Sequence, residues 1–303
     1  MEIQEITETD HIITSDTDSL FIHVKALVEH RFPDIDINNR EEVVPIIMEI
    51  ANELQLVCNE HLETLATDLF NITDREHYFE LKQEVVLERG YFAGKRRYAM
   101  FIVNKEGVDT EELVMMGLDM MKSNFPPMFK TFGSKILQDI MFGKTKKDID
   151  TEILDFRDKI DKVDWKLVTK PTGLKKMKEY IASPPSAGQI FSRIGLKCPI
   201  NTKSAIRYND LLKFKKLDKK YPALQIGDKM LIAYLKENPY KIDAIGFNGY
   251  NDAPEILEFI EKYLDKDKLF DSMMKNKLEG LYSDLNWGFP VMNKNVNKFF
   301  NFM

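Results

Sequence analysis

The stretch that most restricts the fold is Thr14-Ser15-Asp16-Thr17-Asp18-Ser19, framed by Ile12 and Ile13 before it and Leu20, Phe21, Ile22 and Val24 after it. Two apolar, β-prone flanks around a short polar turn predict a β-hairpin. Successive residues of an extended chain point to opposite faces, so Asp16 and Asp18 are expected on one side of it. Two close carboxylates repel each other unless a cation or a proton lies between them. A hard divalent cation with oxygen ligands is the natural partner. The bland reading of Asp-Thr-Asp-Ser is a solvated turn, in which Asp and Ser bond to nearby backbone. The apolar frame and a second motif some eighty residues downstream favour the reading with chemistry.

A lone hairpin with one apolar face needs further strands or a helix to be stable. The first strand is expected to begin close to Met1, so its partners must come later, and the chain is expected to be the second half of a larger arrangement. At 303 residues it can bury a sizeable core and form two domains. A hydrophobic content of 44% and a charged content of 30% are ordinary for a soluble globular protein. The net charge of -6 excludes a basic coat over the whole chain, so local charge must be read instead. Cys58 and Cys198 are far apart and no CxxC occurs, so neither a disulfide framework nor a zinc site is suggested, and a reducing cytoplasm fits. The acidic start Met1-Glu2-Ile3-Gln4-Glu5 lacks the apolar segment of a signal peptide. No apolar run approaches the ~20 residues of a membrane span.

Asn38 and Asn39 can cap a helix starting near Arg40, with Glu41 and Glu42 in its first turn. Val43, Ile47, Ile50, Leu54, Val57, Cys58, His61, Leu62, Leu65 and Leu69 then recur at helical spacing, predicting one long amphipathic helix to about Phe70 whose apolar face, His61 included, packs in the core. From Tyr78 the period changes. Phe79 to Leu87 and Tyr98 to Val103 read as two strands joined through a turn containing Gly90 and Gly94. Glu106-Gly107 closes the second strand, and Val114 to Leu118 is a further short apolar piece. These strands are the expected partners of the Asp16 hairpin. A helix capped at Ser123, with Pro126-Pro127 in its opening and Gly143 as its stop, follows. Ile149 to Val163 marks another. A basic segment from Lys170 to Lys178 and a Lys/Arg-rich stretch from Arg193 to Lys220 precede a hairpin, Met230 to Leu235 and Ala244 to Phe247. Helices are expected from Pro254 to Leu264 and from about Lys268 to Tyr282.

The second motif is Gly94-Lys95-Arg96-Arg97-Tyr98, three adjacent cations at the start of a strand. Such residues blunt a solvated strand edge, and they equally suit a nucleic-acid backbone and base edges. Together the two motifs resemble those of family B DNA polymerases, in particular the replicative enzymes of tailed phages. That family carries Tyr-Gly-Asp-Thr-Asp-Ser in a palm hairpin and Lys-Lys-Arg-Tyr downstream; here the matching residues are Thr14 to Ser19 and Lys95 to Tyr98. Met116-Gly117-Leu118 with Lys122-Ser123 looks like the palm-to-thumb passage. Lys197-Cys198-Pro199 with Tyr208-Asn209 looks like a thumb segment that touches the primer-template duplex, and Lys298 to Met303 looks like an aromatic clamp-binding tail. The departures are Thr14-Ser15 in place of Tyr-Gly and the absence of the upstream metal-binding aspartate, fingers lysine and exonuclease carboxylates.

The resemblance implies an α+β fold: an antiparallel palm sheet with a long packing helix over residues 1–117, a mainly helical thumb over 118–294 and a clamp-binding tail over 295–303. It implies template-directed DNA synthesis in the C-terminal subunit of a split polymerase, in a host cytoplasm if phage-encoded. An N-terminal chain would bring the exonuclease, the fingers and the rest of the palm. Asp18 is then a direct ligand of Mg2+, with Mn2+ as a substitute, in a two-metal site shared with that chain. Asp16 is its weaker neighbour, and Glu84 and Arg96 support it. Lys95, Arg96, Arg97 and Tyr98 hold the new duplex, whose minor-groove acceptors are nearly the same for every base pair. Lys122, Lys197, Lys203 and Arg207 contact phosphates. Phe299, Phe300 and Phe302, costly at an exposed terminus unless buried, dock on a sliding clamp or on the thumb. The expected partners are that chain, primer-template DNA, dNTP and the clamp, with no membrane. The competing expectation is a non-catalytic duplex-binding or clamp-tethering protein derived from a thumb.

Overall fold

The computed structural model describes residues 11–72, 79–118, 125–249 and 251–291. The chain divides into two compact units, Met1–Leu118 and Asp119–Met303. Both mix helices with small antiparallel sheets, an α+β architecture.

In the first unit, β1 (Ile12–Asp16) and β2 (Ser19–Ile22) form a two-stranded sheet of their own, with Asp16 opposite Ser19 and a register shift that leaves Ile13 as an extra residue. The hairpin was expected to join the later strands. Instead β3 (Val85–Gly94), β4 (Arg97–Lys105) and β5 (Val108–Met116) make a separate sheet in the order β3-β4-β5. The central strand β4 is buried continuously from Ala99 to Val103, because it is covered on both faces. Glu106 and Gly107, both with positive φ (51° and 84°), close the two-residue β4–β5 turn that the sequence announces. The whole of β5 is longer than the apolar piece expected at Val114. Its first half, Asp109 to Glu112, is polar because it lies on a sheet edge.

Helix α1 (Lys25–Arg31), which the sequence reading did not anticipate, packs Leu27 and Val28 against Ile50 of α2 (Arg40–Phe70), with Ile35, Ile37, Ile46, Ile47 and Leu54 around them. The long helix ends as its sequence predicts. Asn71 adopts the left-handed conformation (φ 53°), and the Ile72 N–H returns to the Ala66 carbonyl at 3.2 Å. Arg40 ties the start of α2 to the sheet through Glu88 at 2.6 Å and Glu111 at 2.5 Å. Further along, Asn59 donates to and accepts from the Leu81 backbone (3.0 and 2.7 Å), and Gln55 accepts from the Gln83 N–H (2.8 Å). The stretch before Val85, expected as strand, is therefore gripped by helix side chains rather than by a neighbouring strand. His61 is exposed and not in the core, and so is Val57.

The second unit is better filled. Helix α3 (Pro127–Met141) packs on α4 (Lys146–Lys162) through Phe132 and Phe156, stacked with ring centres 3.7 Å apart, with Phe129 edge-on to Phe156 at 5.6 Å. After the short α5 (Trp165–Val168), an antiparallel sheet runs in the order β10 (Ala244–Phe247), β9 (Lys229–Tyr234), β6 (Lys170–Gly173). Pro171 is tolerated because β6 is an edge. The small β7 (Ile181–Ser183) and β8 (Arg193–Ile194) pair nearby in sequence. Helix α6 (Ile200–Phe214) lies within the stretch that reads only as basic, and buries Ala205, Ile206, Tyr208, Leu211 and Leu212. Beyond α7 (Pro254–Tyr263), one run joins α8 (Lys266–Phe270), a π-helical turn (Asp271–Lys275) and α9 (Asn276–Asp284). Among the described residues, no helix is long and apolar enough to cross a membrane.

Phe129 is fully buried against this aromatic cluster. Phe129→Ala is expected to destabilise the second unit by about 3–5 kcal/mol, the usual cost of an aromatic deletion in a core. Urea denaturation followed by tryptophan fluorescence checks this, since Trp165 and Trp287 both lie in that unit.

Candidate functional site

The two sequence motifs meet. Asp16 ends β1, and Lys95-Arg96 is the two-residue turn between β3 and β4, where Gly94 pairs with Arg97. The Arg96 Nε donates to Asp16 Oδ2 at 2.5 Å, and Lys95 Nζ lies 3.5 Å from Asp16 Oδ1. An aromatic trio behind the tips holds the hairpin in place. Phe21 of β2 lies 5.5 Å from Phe92 and 5.9 Å from Tyr98, which are themselves 5.7 Å apart. Edge and tilted ring contacts of this kind add to the area they bury. With no ladder between the two sheets, side chains carry the junction.

Both tips adopt unusual backbone. Thr17 has φ 55°, rare for a β-branched residue. The Asp18 N–H bonds the Asp16 carbonyl two residues back at 2.6 Å, and Ser19 Oγ donates to the same carbonyl at 3.2 Å. Arg96 has φ 56°. Its carbonyl lies so close to Gly117 (φ 64°) that a Cβ there would overlap it. Gly117 thus shapes the turn that presents Lys95 and Arg96. Backbone held in sparsely populated regions is a mark of positions that the surrounding structure must over-determine.

The expectation that Asp16 and Asp18 share a face is corrected. Alternation holds within a strand, and Asp18 lies past Thr17 in the turn. Asp16 is turned to the cations of the neighbouring tip. The Arg96 hydrogen bond holds its carboxyl below the usual carboxylate range against a smaller desolvation effect, with the charges of Arg96 and Lys95 adding to it. The same bond raises the Arg96 guanidinium above its already high value. The Asp18 side chain is exposed and makes no hydrogen bond or ion pair with a described residue. Among the described residues, no group of three or more His, Cys, Asp or Glu side chains converges that could hold a metal ion. A cation on Asp18 would draw its other oxygens from outside these residues.

The other expected site residues are distributed as follows. Arg97 is exposed beside the Lys95–Arg96 turn. Tyr98 is half-buried in the aromatic trio and its hydroxyl donates to Met116 Sδ at 3.2 Å, so packing and not an open face occupies the ring. Glu84 does not reach the site. It precedes β3, whose far end carries the Lys95–Arg96 turn eleven residues on, a separation of ~35 Å along an extended strand. In the second unit, Lys197 is exposed in the loop before α6. Lys203 pairs with Asp243 at 2.9 Å. Arg207 donates to the Ser192 carbonyl at 3.2 Å and stacks its guanidinium over Phe191 at 4.8 Å. Tyr208 is buried with its hydroxyl on Asp252, and Asn209 binds both backbone groups of Leu224 (2.9 and 2.8 Å). These four residues of the supposed thumb segment are engaged inside the unit, where their pattern in sequence reads only as polar and basic. Lys122, Phe299, Phe300 and Phe302 lie outside the described residues. Sequence reasoning missed Phe21 and Phe92 as parts of the site, with proximity to the two motifs as their only signal, and read Gly117 as part of a palm-to-thumb passage rather than as a neighbour of the Lys95–Arg96 turn.

No family model matches the chain. Over 137 residues it is 26% identical to a protein named DNA polymerase beta from African swine fever virus (isolate Warthog/Namibia/Wart80/1980). It is 25% identical over the same length to its counterpart from the isolate Pig/Kenya/KEN-50/1950. Each match covers 44% of this chain and 11% of the relative, so the chain spans only about a tenth of the length of these curated relatives. The likeness is to a DNA polymerase, and it is distant.

Arg96→Met is expected to raise the Asp16 titration toward the unperturbed carboxylate value of ~3.9, read by carbon NMR of the labelled carboxyl. The depressed value means that the wild-type ion pair stabilises the hairpin above that pH and is lost as pH falls through the folded value. Gly117→Ala is expected to displace the same turn and raise the Asp16 titration in the same direction.

Proposed function

We propose that this chain is the C-terminal part of a split DNA polymerase of family B type, comprising the end of the palm and the thumb, and that it acts with an N-terminal polymerase chain. The observation that carries the reading is the junction of the two motif tips: Asp16 neutralised by Arg96 and Lys95, with Asp18 beside it open. The similarity to viral DNA polymerases supports the coarser part of the reading, a relation to DNA polymerases.

In this reading Asp18 provides an oxygen ligand for Mg2+, or Mn2+ in its place, and the partner chain and the dNTP phosphates provide the others. The donor chemistry fits, since a hard cation takes carboxylate oxygens, though this chain supplies only part of the shell. When bound, two such ions neutralise charge on the attacking and leaving oxygens of a phosphoryl transfer. The chain's own residues have distinct tasks. Arg96 holds the Asp16 carboxylate turned aside, so that two carboxylates do not compete for one position. The strained Thr17 fixes where Asp18 points. Lys95 and Arg97, exposed on the same turn, lie against the backbone and minor-groove edge of the newly made primer-template duplex. Of the described phosphate-contact candidates Lys197, Lys203 and Arg207, Lys197 is the exposed one and meets a phosphate. The terminal Phe299, Phe300 and Phe302 dock on a sliding clamp.

Primer extension with Mg2+ tests the proposal, using this chain alone, the N-terminal polymerase chain alone, and the mixture. Synthesis is expected only in the mixture. Asp18→Ala is expected to lower it at least about a hundredfold, as loss of a group acting on the transition-state charge does, with primer-template binding retained. Equal synthesis with Asp18→Ala would overturn the reading. Duplex binding without synthesis in any mixture would favour a tethering protein.

A further inference from the structure

Helix α2 turns one face to the unit's interior and leaves another uncovered. Along it Glu53, Leu56, Val57, Glu60, Thr64 and Thr67 are all exposed, and at 3.6 residues per turn they form one stripe. Leu56 and Val57 sit in the middle of it at 65% and 64% exposure, unusually open for large apolar side chains in a regular helix. The segment gripped by Asn59 and Gln55 does not cover them. The helix carries no Lys or Arg after Arg40, while Glu41, Glu42, Glu49, Glu53, Glu60, Glu63 and Asp68 make it strongly acidic. Glu53 is paired with Arg31 at 2.8 Å, and among the described residues the Glu60 carboxylate has no ion-pair partner.

This combination selects its occupant. A negative stripe repels nucleic-acid phosphate and anionic lipid. It also repels a second copy of itself. A pair of apolar side chains rimmed by carboxylates fits a polypeptide surface that offers an apolar pocket rimmed by Lys and Arg. We infer that the outer face of α2 is the docking surface for the polypeptide that carries the rest of the polymerase, an occupant with a basic rim. The inference rests on the proposed function, in which that polypeptide is a separate chain. The apolar pair supplies the desolvated centre and Glu60 the electrostatic match at the rim.

The test uses the full chain and the N-terminal polymerase chain of the same source, with affinity measured by biolayer interferometry and stoichiometry by size exclusion. Leu56→Arg combined with Val57→Arg is expected to weaken binding at least tenfold. Circular dichroism and the melting temperature should stay unchanged, because both side chains are exposed. Glu60→Lys is expected to weaken binding less and to flatten its salt dependence, while Glu179→Lys, an exposed change in the other unit, leaves it unaltered. Unchanged affinity in the double variant, or no complex with the wild-type chain, overturns the inference. A wild-type homodimer that the double variant dissolves also overturns it, by making the occupant a second copy. A stripe-dependent complex that performs no primer extension leaves the docking surface standing and removes the polymerase reading.

Discussion

The ion pair between Asp16 and Arg96 joins two parts of the chain that share no backbone ladder. The β1–β2 hairpin is a two-stranded sheet, and such a hairpin is marginal by itself in water. It is held where it is by a charge contact at the tip and by Phe21, Phe92 and Tyr98 behind it. The charge contact is exposed and so contributes modestly to stability. Its larger consequence is orientation. Once Asp16 is committed to Arg96 and Lys95, the neighbouring Asp18 is the carboxylate left open, and the arrangement distinguishes two residues that the sequence presents as equivalents.

The two units spend their polar groups differently. In the second, Asp210 holds both the N–H and the hydroxyl of Ser192, Asn209 pairs with Leu224, and Tyr208 reaches Asp252, all to anchor loops around α6. Lys203 and Arg207 belong to the same scheme. Buried polar groups need partners, and here the partners are internal. In the first unit the interior is thinner. Val43, Ile50 and Ala66 are the buried residues of the 31-residue α2, and Ile12, Ile13, Leu20, Leu56 and Val57 are all exposed. Among the described residues, apolar side chains are thus open on both the hairpin and the long helix of this unit.

Local rules explain what could be read in advance. The α2 limits followed from Asn39 before it and the end of the apolar period at Leu69, the β4–β5 turn from Glu106-Gly107, and the β9–β10 hairpin from two apolar runs. Helix α6 escaped notice because its buried face is interleaved with Lys203, Arg207 and Asp210, so charge obscured the period. Helix α1 was too short for periodicity to declare it. Val57 and His61 matched the helical period of α2 yet face outward, because a pattern gives a stripe but not which stripe will be covered.

By itself the sequence determined the Asp16-Thr17-Asp18-Ser19 turn and the cationic Lys95-Arg96-Arg97 turn, and through the resemblance that these motifs carry, the α+β class. Both turns depend on interactions among residues a few positions apart, which spacing encodes directly. Only the tertiary structure decided that the two turns meet, that Glu84 lies at the other end of its strand and that Tyr98 is spent on packing. It also decided that Asp16 rather than Asp18 takes the arginine. Those outcomes depend on contacts across eighty residues of chain, set by how the aromatic trio and Gly117 fit together in space, and no local rule contains that distance.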